Sequence, residues 1–193
     1  MKKELPRKMI HIGFGTLFLV MIYYLGTELS FWILSLIFIA GLAVSLLIKK
    51  GHDISILVKI IRAVERDYEK HWPGKAVLLF FIAAIILLYF FKNDSLIVLA
   101  GLSTAVYGDA AAALVGKGIG KIKIGFNNTL EGTLAGFVVC LVCIGFFFPA
   151  ASLLVIVSAS LVATIAEYLP INDNVAMPLG ASATIYFLLL LAL

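Results

Sequence analysis

Long apolar runs alternate with short polar segments along the whole chain. An α-helix needs about 20 mainly apolar residues to cross the hydrocarbon core of a bilayer. Seven runs approach or meet this length, with bounds near 9–25, 30–48, 76–91, 95–116, 132–148, 150–166 and 176–192. The pattern predicts an all-α fold, a polytopic membrane bundle of about seven transmembrane helices that forms a single domain over residues 1–193.

The segment between the second and third runs has a different pattern. Its apolar residues recur at helical spacing, charged residues occupy the opposite face, and Pro73-Gly74 closes it. This arrangement is typical of an amphipathic helix that lies in the membrane interface. Such a helix serves as an anchor and packing element, or as a wall that guides a lipid substrate. Its apolar face comprises Ile54, Leu57, Val58, Ile61, Val64 and Tyr68.

Composition agrees with a membrane class, and the placement of charge orients the chain. The sequence is 63% hydrophobic and 13% charged, whereas a soluble domain is about half apolar and a quarter charged. Of its 15 basic residues, all but Lys92 lie in the amino terminus or in the loops that follow the second and fourth runs. The positive-inside rule assigns these segments to the cytoplasm. We therefore expect a multi-pass protein of the cell membrane with a cytoplasmic amino terminus and an external carboxyl terminus.

Asp109 is the one charged residue in the run from 95 to 116. A carboxylate at the bilayer centre costs about 2.5–3.5 kcal/mol on insertion scales, so its presence needs a reason. Gly101, Ala105 and Ala113 share its four-residue spacing. Because small residues at this spacing let helices approach closely, we expect Asp109 to point into the bundle near the cytoplasmic end of its helix.

Further acids lie on the same predicted face. Glu131 begins the fifth run, and Glu167 and Asp173 lie in the loop after the sixth. Magnesium prefers oxygen ligands, often one or two carboxylates together with phosphate oxygens and water. Asp109, Glu131 and Asp173 are therefore candidate Mg²⁺ ligands or candidate bases for a substrate hydroxyl. The sequence does not decide which acid has which role.

Glycines and lysines follow Asp109 closely. The segment Gly116-Lys117-Gly118-Ile119-Gly120-Lys121 offers backbone amides and two cations, which suit a phosphate group. It lacks the spacing of a Walker A loop, so a cytoplasmic loop of ordinary composition is the alternative. Acids for a metal ion and lysines for phosphate together predict a membrane enzyme that handles a nucleoside triphosphate.

Four short motifs are spread over nearly the whole chain: Arg7-Lys8-x-x-His11, Gly108-Asp109-x-x-Ala with Gly116-Lys117 and Gly120-Lys121, Thr129-x-Glu131-Gly132, and Asp173-Asn174 followed by Pro178. Together they resemble the motifs of the CTP-dependent lipid-alcohol kinases. That family contains dolichol kinase, phytol kinase and CTP-dependent diacylglycerol kinase, and it is related to phosphatidate cytidylyltransferase. The middle motif is the most specific. At the position of Asn128 the family commonly has lysine.

This resemblance implies transfer of the γ-phosphate of CTP to a membrane lipid alcohol, with Mg²⁺ or another divalent cation, at the cytoplasmic face. The implied acceptors are polyprenol or dolichol, phytol or geranylgeraniol, and diacylglycerol. No nucleic-acid partner is expected, and a homo-oligomer is one of the open states of assembly. The implied catalytic residues are Asp109, Glu131, Asp173 and Lys117, the first three also as metal ligands. The implied nucleotide contacts are Arg7, Lys8, Gly116, Lys117, Gly120, Lys121, Asn128, Thr129 and Asn174, with His11 and Glu167 as further site candidates.

Two alternatives stay open. A cytidylyltransferase would use the same ligands for attack on the α-phosphate and would release pyrophosphate while forming a CDP-lipid. A small ion or solute transporter would use Asp109 as its ion site. A path across the membrane needs polar residues in both halves of the bundle, however, and here they gather at one face.

Overall fold

A computed structural model describes residues 4–51, 72–124 and 128–191 of the chain. Within these ranges the regular structure is helical, apart from an isolated bridge between Lys123 and Thr129, which confirms the all-α prediction. The predicted amphipathic helix, at 54–68, lies outside the described residues. The helices are α1 (Glu4–Lys49), α2 (Lys75–Phe90), α3 (Ser95–Ser103), a π-helix (Thr104–Gly108), α4 (Asp109–Gly118), α5 (Leu130–Phe147), α6 (Leu153–Ala166) and α7 (Asp173–Leu191).

α1 consists of two segments that run in opposite directions. At Gly26 the backbone has φ 75° and ψ 177°, a conformation open to glycine and strained for other residues. Successive positions of α1 contact α2 and its flanking residues first in ascending and then in descending order: His11 with Phe80, Thr27 with Lys92, and Ser45 with Pro73. The chain therefore reverses at Gly26, between the first two predicted runs.

The helix formed by α3, the π-helix and α4 is the centre of the bundle. In its most apolar window 72% of the residues are buried, against 28% or less in the other long helices. Its glycines permit close contact, since a Cβ on Gly101 would lie 2.0 Å from Ser182 Oγ and a Cβ on Gly108 would lie 2.6 Å from Cys140 Sγ. The predicted role of the small-residue stripe in helix packing is confirmed.

Four of the described helices are long and apolar enough to cross a membrane, by length and composition. They are Glu4–Lys49, Ser95–Gly118, Leu130–Phe147 and Asp173–Leu191. α2 and α6 are apolar but shorter. Large apolar side chains cover the outer surface of the bundle, Trp32, Tyr24, Phe90 and Phe146 among them. A lipid environment accommodates such a surface.

The starts of α1, α2, α5 and α7, the end of α4 and the segment after α6 lie at one end of the bundle, which we call the site end. Side-chain contacts join them there: Lys117 with Glu4, the Thr133 hydroxyl with the Tyr168 hydroxyl at 2.5 Å, and Asn174 Nδ2 with Ala76 O at 3.1 Å. The opposite end has two short turns, in which Asp94 caps α3 and Ser152 caps α6. Consecutive helices thus alternate in direction, and polar side chains of distant segments meet at the site end.

Candidate functional site

A buried ion pair joins α1 to the first residue of α4. Lys8 Nζ bonds Asp109 Oδ2, with Lys8 2% and Asp109 9% exposed. Charges are costly to bury unless they are paired, so each side chain depends on the other. The prediction that Asp109 points into the bundle is confirmed, and its partner at Lys8 comes from a segment about one hundred residues earlier in the chain.

The π-helix immediately precedes Asp109 and sets its direction. The Asp109 backbone N–H bonds Thr104 O, one residue wider than in an α-helix. His11 contacts this wide turn, because its Nε2–H donates to Ala105 O at 3.1 Å. The same Nε2 lies 4.0 Å from Asp109 Oδ2. His11 therefore holds the backbone that presents Asp109, and this backbone contact gives it a structural role at the site.

Two further residues of α1 fit against the π-helix. A Cβ on Gly15 would lie 2.5 Å from a Val106 side-chain carbon, so only glycine permits this approach. Thr16 Oγ1 lies 2.9 Å from the Tyr107 hydroxyl. Together with Lys8 and His11, these positions follow the spacing of one helix face. One face of α1 is thus shaped to the segment that carries Asp109.

A second ion cluster lies at the start of α1. One oxygen of Glu4 bonds Arg7, and the other bonds Lys117 Nζ at 2.5 Å. Glu4 and Arg7 are mostly buried, with side chains 15% and 13% exposed, whereas Lys117 is 46% exposed. Arg7 Nε is buried and has no hydrogen-bond partner within the described ranges. Two predicted nucleotide contacts, Arg7 and Lys117, therefore lie together.

Glu167 follows α6 and lies near two other acids. Burial, together with the negative charges of Asp109 and Asp173, raises the pKa of the Glu167 carboxyl to about 8, although the Lys8 charge acts in the opposite sense. Its Oε1 is buried and lacks a hydrogen-bond partner among residues 4–51, 72–124 and 128–191. This oxygen faces Gly136, where a Cβ would lie 3.6 Å away. The charges of Asp109 and Asp173 thus both act on Glu167, and we call these three acids, which come from three segments, the acid cluster.

Glu131 points towards a different part of the site end. Both of its carboxylate oxygens accept from Ile122 N at 3.3 Å. Thr129 caps α5, with its Oγ1 accepting from Gly132 N at 3.2 Å. Asn128 O accepts from Ile124 N at 3.0 Å. These three predicted site residues fold the segment between α4 and α5 back on itself, and their contact with a nucleotide or metal stays a prediction.

The glycines after α4 have a packing role. A Cβ on Gly120 would lie 2.3 Å from Gly116 O, and one on Gly132 would lie 2.6 Å from Ala112 O. The amide groups of Ile119 and Gly120 both bond Val115 O. The Gly120 amide therefore already has an acceptor within the protein. The phosphate contacts that we expected of Gly116 and Gly120 stay predictions.

The remaining candidates lie at the edges of the site end. Lys121 is exposed beside the Glu131 carboxylate. Asn174 is in the first turn of α7, where its N–H bonds Asn172 Oδ1 at 3.1 Å and its amide side chain bonds Ala76 O. Asn174 thus connects the start of α7 to the start of α2. Its nucleotide contact is a prediction that the geometry leaves open.

The acid cluster was compared with the needs of a magnesium ion, the cofactor expected from the sequence. Within the described part of the chain no three His, Cys, Asp or Glu side chains are grouped closely enough to hold a metal by themselves. Magnesium usually takes one or two protein carboxylates and completes its shell with phosphate oxygens and water. Asp109 and Glu167 are candidates for such a pair, and the Glu167 Oε1 atom has no hydrogen-bond partner among the residues that the structure describes. A divalent cation would relieve the repulsion that the neighbouring acids impose on Glu167.

Sequence reasoning missed Glu4. Glu4 and Arg7 are three residues apart, the spacing of an ion pair on one helix face, so the sequence could have predicted this pair. Its bond to Lys117 joins positions 113 residues apart, and no local pattern predicts such a contact. The hydroxyls of Ser160 and Thr164 bond carbonyls of their own helix.

Comparison of the chain with protein-family models, with curated proteins and with solved structures found no match. The likeness to CTP-dependent lipid-alcohol kinases therefore depends on the motifs quoted above and on the chemistry that their residues support.

Proposed function

We propose that the protein is a CTP-dependent kinase that transfers the γ-phosphate of CTP to the hydroxyl of a membrane lipid alcohol. The observation that supports this most is the neighbourhood of the buried Lys8–Asp109 pair. Acids of three segments and cations of two helices gather at one end of an otherwise apolar bundle. Phosphoryl transfer needs this combination of oxygen ligands for a metal and cations for the phosphates.

The proposed topology has seven crossings with the site end in the cytoplasm. Each segment of α1, at residues 4–25 and 27–49, is longer than 20 residues and therefore about 30 Å long at 1.5 Å per residue. α2 and α6 would complete the count, although they are shorter. The basic residues support the orientation, since Arg7, Lys8 and Lys117 all belong to the site end.

Arg7 and Lys117 are the proposed contacts of the CTP phosphates. Arginine forms planar, bidentate bonds to phosphate oxygens, and lysine adds a mobile point charge. Lys117 is the more accessible of the two, so it suits the terminal phosphates. Lys8, by contrast, is buried against Asp109, and its proposed role is to hold that carboxylate in place.

The acid cluster is the proposed site for Mg²⁺. When bound, the ion would neutralise phosphate charge and orient the γ-phosphorus. Asp109 is held by the Lys8 bond and by the π-helix, which fixes its direction before any ligand arrives. Glu167 follows a different helix and has one oxygen without a hydrogen-bond partner among the described residues. Asp109, with a fixed direction, and Glu167, with an oxygen that can accept a ligand bond, together form the proposed donor set for this ion.

The proposed reaction is an in-line displacement. The lipid hydroxyl oxygen forms a bond to the γ-phosphorus of CTP while the bond from that phosphorus to the β–γ bridging oxygen breaks, leaving CDP. The hydroxyl proton passes to a carboxylate of the acid cluster. Lys117 and Arg7 stabilise the negative charge on the departing diphosphate.

Transport is less well supported. Lys8 and Asp109 are the only charged side chains classed as buried within the described ranges, and both belong to the site end. In the rest of the bundle the buried hydroxyls mostly bond backbone carbonyls, as Ser103 and Ser182 do. A conducting path needs accessible polar groups through both halves.

The test is a direct assay of phosphate transfer. Purified protein in detergent with Mg²⁺ is given γ-labelled CTP, ATP, GTP or UTP and a pool of polyprenols, geranylgeraniol, phytol and diacylglycerol. Label in the lipid phase with CTP would support the proposal and identify the acceptor. Absence of label in lipid with every nucleotide would refute it.

A further inference from the structure

The contact between Glu4, Arg7 and Lys117 joins two helices at the proposed phosphate site. Each carboxylate oxygen of Glu4 bonds one cation, Arg7 in the next turn of α1 and Lys117 near the end of α4. Arg7 and Lys117 have like charges, and without a shared anion they would repel each other. Glu4 is therefore the group that keeps the two cations close together.

Burial makes this contact more than a surface ion pair. Glu4 and Arg7 are largely shielded, with side chains 15% and 13% exposed. Lys117 ends on a flexible chain that is 46% exposed, and such a side chain samples many rotamers when it has no partner. A charge-assisted bond to a fixed carboxylate restricts Lys117 to one direction. Ordering a binding group in advance reduces the entropy that the ligand must offset.

The cluster also keeps capacity for a further anion. Its formal charge is one unit positive, because one carboxylate faces two cations. The Arg7 guanidinium has five N–H donors, of which Nη2 bonds Glu4 and Nε is buried without an acceptor in the described part of the chain. A buried donor without an acceptor is unfavourable. Phosphate oxygens arriving beside Arg7 would satisfy donors that Glu4 leaves unused.

We propose that Glu4 is a positioning residue of the phosphate site, whose carboxylate holds Arg7 and Lys117 side by side for the polyphosphate of a nucleotide. This inference rests on the proposed function. Glu4 itself touches no substrate in this account and acts through the two cations. A carboxylate that instead competed with phosphate for the same cations would have the opposite effect on affinity.

The test measures binding of inorganic tripolyphosphate and of CTP to the full chain in detergent by titration calorimetry. Glu4→Gln should weaken both about tenfold, and Glu4→Asp should restore part of the loss. The loss of binding free energy in the double variant Glu4→Gln/Lys117→Gln should be smaller than the sum of the losses in the two single variants, because Glu4 acts partly through Lys117. Glu28→Gln is the matched control, since Glu28 is an exposed acid of α1 that lies beside the reversal at Gly26, at the opposite end of the bundle.

Kinetics separate positioning from a merely structural role. Glu4→Gln should raise the KM for CTP while the KM for the lipid alcohol stays unchanged, whereas a loss of folded protein would lower the rate without changing either KM. Unchanged or tighter tripolyphosphate binding by Glu4→Gln would overturn the inference and leave the kinase proposal standing. Wild-type protein that bound neither tripolyphosphate nor CTP would overturn both. Binding that depends on Glu4, without any transfer to lipid, would support the inference and refute the kinase proposal.

Discussion

Removal of the Asp109 charge should destabilise the protein as well as stop its reaction. In Asp109→Asn the Lys8 ammonium, 2% exposed, would stay buried without its counter-ion. Removing one partner of a buried ion pair costs about 3–5 kcal/mol. For a chain of about 150–250 residues each kcal/mol lowers Tm by about 2–4 °C, so the expected fall is about 6–20 °C.

A double variant distinguishes the lost charge from the lost shape. Lys8→Met with Asp109→Asn removes both charges, and buried ion pairs are often replaceable by uncharged groups at little cost. The double variant should therefore recover most of the stability lost by Asp109→Asn, within about 1–2 kcal/mol of wild type for the unpaired amide. It should still lack phosphate transfer, because the proposed metal ligand is absent. Lys92→Met, at an exposed lysine of the opposite end, should leave both properties unchanged.

Thermal unfolding in a single detergent, followed by scanning fluorimetry, measures the stability of all four proteins. An Asp109→Asn protein with an unchanged Tm, or a double variant less stable than Asp109→Asn, would refute the pairing argument. Near-normal transfer by Asp109→Asn would refute the metal role of Asp109 and leave the ion pair as a structural element.

Three further results are expected. The pKa of Glu167 is raised from 4.5 to about 8 in the folded state, so the folded state retains a proton that the unfolded state loses. In EDTA, the free energy of unfolding should therefore fall by up to about 1.4 kcal/mol per pH unit from pH 5 to 8 and level off above pH 8. In Glu167→Gln it should stay flat over this window. Chemical denaturation across that range measures it, and equal slopes for both proteins would contradict the assignment. Gly132→Ala should cost about 1–3 kcal/mol, because its Cβ would lie 2.6 Å from Ala112 O. At Gly13 a Cβ would meet no atom of the described residues within 4 Å, so Gly13→Ala should instead stabilise the protein by about 0.5–1 kcal/mol in the same unfolding assay. Similar effects of the two substitutions would contradict the packing role of Gly132. Membrane-impermeant labelling of a single cysteine placed in the 167–172 segment should require permeabilised cells, and labelling of intact cells would contradict the cytoplasmic site end.

Local pattern was sufficient to predict most of the helices. Hydrophobic runs predicted the positions of the helical segments, since apolar composition over a fixed length is a strong signal. The small-residue spacing around Asp109 correctly predicted both close helix packing and an inward carboxylate. The reversal at Gly26 falls between two predicted runs, so the two predicted helices correspond to the two segments of α1.

The contacts that define the site were not predictable from local pattern. Lys8 pairs with Asp109 across 101 positions, and spacing rules for helices reach only three or four residues. The π-helix before Asp109 depends on how α1 packs against it through His11 and Gly15. The direction of Glu131, towards the backbone of its own loop, likewise follows from tertiary structure. The sequence predicted that the acids share one face, and it could not say which of them lie near one another.

The most direct test of the account follows the α- and γ-phosphates of CTP separately. One batch of CTP is labelled at the α-phosphate and a second at the γ-phosphate. Each is incubated with purified protein, Mg²⁺ and the lipid alcohol identified in the assay with four nucleotides. The account predicts γ-label in the lipid and α-label retained in CDP, with neither transferred by Asp109→Asn. Appearance of α-label in the lipid, with release of pyrophosphate, would contradict it and identify a cytidylyltransferase instead.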